Sequence, residues 1–228
     1  MLKHILPTLQ AGVEAAGPLS GTTDDGHSDS TINGALVVLA VRFAGSEGYL
    51  DKVQTVVRAL CNTERALSSA IAIATALEAV IQGGTLSSAL ASAFPAGDAS
   101  SAEAVKLAAD ALSAASAGAE KSGNLKAIAK KFGPACDVKH TVPLAAFSAR
   151  YTAAGGEGVP DFKTAVRTNT ALSGDTCGRA PVVGALVAAA EAPGAAVMWA
   201  DWLALLTGGA EVAHLAAALA AAAHETSA

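Results

Sequence analysis

CNTERALSSAIAIATALEAVIQGG, residues 61–84, decides the fold. Alanine is the best helix former because it loses no side-chain entropy, and here it is interleaved with Leu and Ile at three- and four-residue intervals. Leu67, Ala70, Ile71, Ala74, Leu77 and Ile81 fall on one face, which predicts a helix from about Thr63 to Gln82 with that face against a core. Gly83-Gly84 supplies its stop. Hydrophobic residues make up 52% of the chain and aromatics only 4%. A core of Ala, Leu and Val buries little area per residue, so it needs many helices in close contact. The fold class is all-α.

The same pattern repeats on both sides. Gly34 to Phe43 and Tyr49 to Leu60 read as helices, the second through Leu50, Val53, Val56, Val57 and Leu60. Thr85 caps a short helix that stops near Phe94, because Pro95 disfavours helical geometry in the residue before it. Ser100 and Glu103 have the capping-box spacing and open an alanine-rich helix through Leu107 and Leu112, expected at the periphery. Leu125 to Phe132, Pro143 to Tyr151, and Asp161 to Ala171 follow as helices. A helix from about Arg179 runs to Ala192, and Ala180, Gly184 and Ala188 line up every four residues on it, letting another helix approach. Met198 to Leu206 and Ala210 to His224 close the series, with Trp199 and Trp202 expected as core anchors.

The 228 residues suffice for one sizeable domain, read as a single helical unit over 1–228 with a polar loop at about 17–33. A net charge of −5 argues against nucleic acid, whose phosphates call for a basic face. Lys126, Lys130 and Lys131 are read as one solvated helix face. Three widely spaced cysteines, Cys61, Cys136 and Cys177, indicate neither a disulfide framework nor zinc, and a reducing intracellular compartment, the cytoplasm, fits them best. The most apolar window, 180–200, carries Glu191 and Pro193 near its middle, so no membrane span is expected.

Two clusters carry candidate chemistry. In Ser173-Gly174-Asp175-Thr176-Cys177-Gly178-Arg179, Asp175 stands where a helix is about to start. It reads as an N-cap accepting backbone N–H bonds, and equally as part of a metal or phosphate site where a carboxylate, a hydroxyl and helix N–H groups converge. Both readings can hold together. Thr22 to Ser30 gathers Thr23, Asp24, Asp25 and Asp29, oxygen donors of the kind Mg²⁺ prefers, beside the imidazole of His27, in a composition that also suits a solvated loop. The five histidines form no helical metal pair, and His140 is read as a surface or capping residue. No GxSxG elbow is present.

The run SGDTCGRAPVVGALVAAAEAPGAAVMWADWLALL, with its lead-in DFKTAVRTNTAL, resembles the late signature of the ADP-ribosylglycohydrolase family, which includes the J-type lens crystallins. That signature reads Gly-Gly-Asp-Thr-Asp-Thr before a helix rich in Gly and Ala. The resemblance implies a compact all-α hydrolase that cleaves the glycosidic link between ADP-ribose and a protein side chain or related acceptor, using two Mg²⁺ or Mn²⁺ ions. Its metal ligands come from an early Thr-Asp-Asp and a late Asp-x-Asp. Residue by residue, Thr23, Asp24 and Asp25 match the early motif and Asp175 the first late aspartate, while Cys177 stands in place of the second and Gly178 in place of its threonine. The partner so implied is an ADP-ribosylated substrate or ADP-ribose. A thiol is a poor ligand for a hard ion, so a non-catalytic homologue serving in binding or assembly stays open beside the hydrolase.

Overall fold

The computed structural model describes residues 32–96, 102–117, 124–152, 160–191 and 200–225. These form eleven α-helices and no strand: Ile32–Phe43 (α1), Tyr49–Leu60 (α2), Glu64–Ile81 (α3), Leu86–Ala93 (α4), Glu103–Ser116 (α5), Leu125–Phe132 (α6), Val138–Arg150 (α7), Phe162–Ala171 (α8), Thr176–Ala190 (α9), Ala200–Ala204 (α10) and Gly209–Glu225 (α11). The helix starts are set by side-chain caps. Thr63 accepts from Ala66 N, Thr85 from Ser88 N, Asn124 from Ala127 N and Asp161 from Thr164 N, each supplying an acceptor that the first turn lacks.

Helix α3 packs against α1, α2, α4 and α9. Its buried seam runs Ala66, Ala70, Ile73, Leu77, Val80, one step round from the expected face. Leu67 and Ala74 are also buried, but Ile71 is only half-buried and Ile81, the last residue of the helix, is exposed. Helix α7 is the second axis: every residue from 141 to 150 is buried. It carries Pro143 inside and starts five residues before it. Pro143 has no N–H to give to the Lys139 carbonyl four residues back, and the helix starts ahead of it because Asp137 caps the end through Lys139 N.

Helix α5 is not peripheral. It lies along α7 with Ala104, Val105, Ala108, Ala109, Ala111 and Ala115 buried, because alanine lets two backbones approach where larger side chains would hold them apart. It starts at Glu103 behind Ala102, which makes no side-chain cap bond, and Ser100 lies outside the described residues.

Trp202 is not a core anchor either. It is half-buried, edge-on to Phe162 with centroids 6.5 Å apart, and Lys163 and Arg167 lie over its ring. Its neighbours are thus cations near solvent. Trp199 lies outside the described residues. Lys126, Lys130 and Lys131 are exposed on α6, as expected for a solvated face. His140 holds its Nδ1 2.6 Å from the carbonyl of Phe132, the last residue of α6, which bears out the capping reading. At the far end, α11 rests on α1, and the Arg42 guanidinium donates to the Ala222 carbonyl. No described helix is long and apolar enough to cross a membrane.

Candidate functional site

Helices α8 and α9 form a hairpin. Its open end is tied by Phe162 N donating to Glu191 Oε1 at 2.7 Å, and the Phe162 ring lies against Gly184, so the row of small residues on α9 receives α8 there. Its closed end is the turn Leu172 to Asp175. Two consecutive residues there, Ser173 at φ 56° and Gly174 at φ 69°, take the left-handed conformation. Only glycine fits at 174, because a Cβ would collide with the Pro134 carbonyl of the α6–α7 loop. That carbonyl accepts from Asp175 N at 3.0 Å and so fastens the loop to the turn.

Asp175 is the N-cap of α9: its Oδ1 accepts from Gly178 N at 2.9 Å. The helix therefore begins at Thr176, three residues before the expected start, and holds Pro181 inside. Pro181 has no N–H to give to the Cys177 carbonyl four residues back, which loosens the first turn. Two side-chain amides grip that turn from outside. Asn169 Nδ2 of α8 donates to Thr176 O at 3.0 Å, and Asn33 Nδ2 of α1 donates to Gly178 O at 2.7 Å.

Arg179 completes the arrangement. It is fully buried and heads the buried side chains by size. Nε donates to Asn169 Oδ1 at 2.7 Å, and Nη2 donates to Asn169 O at 3.1 Å and to Ser173 O at 2.7 Å. A guanidinium thus takes one carbonyl from the last turn of α8 and one from the turn beyond it, at the helix end where a cation is favoured. Burial lowers its pKa and the neighbouring Asp175 carboxylate opposes that shift, but a guanidinium stays protonated in either case. Arg179 Nη1 and Asn33 Oδ1 are buried with no hydrogen-bond partner.

Of the sequence-predicted site residues, Asp175 takes the position described, at the mouth of α9 and half-buried. Thr23, Asp24 and Asp25 lie outside the described residues. Cys177 is an exposed free thiol in the first turn of α9. Among the described residues, no three His, Cys, Asp or Glu side chains come together to hold a metal ion. The turn offers one carboxylate, Asp175, which suits Mg²⁺ or Mn²⁺, and one soft donor, Cys177, which does not. A buried guanidinium stands beside that carboxylate, and the turn by itself supplies no second one.

A family model for ADP-ribosylglycohydrolase matches residues 4–228, essentially the whole chain. The chain belongs to the ADP-ribosylglycohydrolase family. None of the curated proteins compared with it matches. Within this family member, the sequence reading found Asp175 and its turn but missed Asn33, Asn169 and Arg179. Asn169 was legible in part, as a polar residue near the end of α8, and Arg179 as the one charge between the turn and the apolar run that follows it.

Proposed function

We propose that this protein is a hydrolase that cleaves a glycosidic bond of ADP-ribose, with Thr23, Asp24, Asp25 and Asp175 holding Mg²⁺ or Mn²⁺. Family membership supports the hydrolase class, and the observation that carries the assignment of residues is the grip of Asn33 on Gly178. It fixes the start of α1 against the first turn of α9. Asp25 precedes Asn33 by eight residues, and at about 3.5 Å per residue this tethers it within about 28 Å of that contact.

A bound divalent ion would supply Lewis-acid polarisation of a ribose oxygen and a water made acidic enough to attack. The chain's own part is positioning. The Gly178 amide orients the Asp175 carboxylate, the Pro134 carbonyl fixes its backbone, and the Asn169–Arg179 pair braces the turn from behind. Such bracing holds a ligand side chain near its working geometry before substrate arrives.

The experiment is incubation of an ADP-ribosylated peptide with the protein and Mg²⁺ or Mn²⁺. Release of ADP-ribose, lost with a chelator and reduced at least about tenfold in Asp175→Ala, is the expected result. Cys177 in place of a carboxylate favours the second reading, a family member that binds an ADP-ribosyl group without cleaving it. Saturable binding of the peptide with no release at any metal concentration would decide for that reading.

A further inference from the structure

We propose that the Arg179 guanidinium is a fixed internal cation that takes the place of one metal ion beside Asp175, so that the site accepts a single divalent ion. This rests on the metal-dependent reading above and limits it. Three observations on the α8–α9 turn carry it.

First, the guanidinium is built into the turn. It is fully buried and bonded to Ser173 O, two residues before Asp175, and to both the side chain and the carbonyl of Asn169. Its position is set by these three bonds and cannot yield to an arriving ion as a flexible surface cation would. Second, no carboxylate is hydrogen-bonded to it: the three acceptors are neutral groups, Nη1 has no hydrogen-bond partner, and the charge that acts on it is that of Asp175. A buried cation in a poorly solvated position repels a second cation far more than one in water would, and draws on the field of the nearest carboxylate. Third, the turn lacks the donors for two ions. Asp175 is its sole carboxylate, and Cys177 presents a thiol.

The charge balance is then self-consistent. A site that loses one carboxylate must shed positive charge to match, and exchanging a dication for a guanidinium does so. Arg179 is in this account a positioning and charge-setting residue that acts through Asp175.

The test counts ions. Mn²⁺ is titrated into the full chain by calorimetry, with free Mn²⁺ followed by electron paramagnetic resonance. One ion per chain is expected for the wild type and for Cys177→Asp, and two for Cys177→Asp combined with Arg179→Met. Two ions in the wild type or in Cys177→Asp alone would overturn the proposal, since the guanidinium would then exclude nothing. One ion in a folded double variant would overturn it as well. Should the double variant not fold, Cys177→Asp decides, because residue 177 is exposed and the substitution leaves the buried network intact. No ion in the wild type would instead overturn the metal-dependent function on which the proposal rests, so the two failures are distinguishable.

Discussion

Arg179 and Asn169 brace the α8–α9 turn jointly: Arg179 Nε donates to Asn169 Oδ1 at 2.7 Å, while Asn169 Nδ2 donates to Thr176 O at 3.0 Å. One amide thus serves a buried cation and the loosened first turn of the next helix. In Asn169→Leu the guanidinium loses an acceptor and Thr176 O a donor, both in buried surroundings. A loss of roughly 2–4 kcal/mol in stability is expected, read as a lowered urea midpoint at unchanged slope.

Gly174→Ala addresses the other side of the same turn. A methyl group there meets the Pro134 carbonyl, and φ of 69° is unfavourable for any residue with a Cβ. The variant should lose about 2 kcal/mol or more, and hydrogen exchange at Asp175 N, which donates to Pro134 O, should speed up ahead of the rest of α9. Unchanged protection at that amide would count against the turn being fastened to the α6–α7 loop.

Asp161 caps α8 with a carboxylate that accepts from Thr164 Oγ1 at 2.6 Å and from Thr164 N at 3.0 Å. The hydroxyl bond first, then the amide bond, holds its pKa below the ordinary aspartate value. A pKa lowered on folding contributes stability above the unfolded value and loses it as pH falls through the folded one. Asp161→Ala should therefore cost about 1 kcal/mol at neutral pH. The gap to the wild type should narrow as pH falls below about 4, which thermal unfolding across pH 2–7 would record.

How much of this was readable in sequence follows from what each residue interacts with. Helix ends at Thr63, Thr85 and Asp161 were legible because a cap is a local interaction spanning three residues. The start of α7 was placed too late because Pro143 was taken as its boundary, and that of α9 because the whole run from Ser173 to Arg179 was read as a turn, whereas the caps Asp137 and Asp175 open both helices earlier. The seam of α3 and the fate of Ile81 depend on which neighbours cover the helix, and periodicity alone fixes a face only to within one step. Asp175 stood out because carboxylate, glycine and helix start are contiguous. Asn33 and Arg179 did not, since the former lies 145 positions from its partner Gly178 and nothing nearby marks it.

The alanine-rich α5 gives a direct test of close helix contact. Ala108 is fully buried on the helix that lies along α7. Ala108→Leu should cost about 1–3 kcal/mol through overpacking, whereas the same change at a peripheral helix would be nearly neutral. Thermal unfolding distinguishes the two.

On the proposed function, Asp175 shares one ion with the acidic run that precedes α1 in the sequence. It is tested most directly by Mn²⁺ affinity in a double-mutant cycle of Asp24→Ala and Asp175→Ala, measured by calorimetry. Each single substitution should weaken binding at least about tenfold and the pair together should weaken it little further, the mark of two ligands on one ion. Full affinity in Asp175→Ala, or losses that simply add, would contradict it.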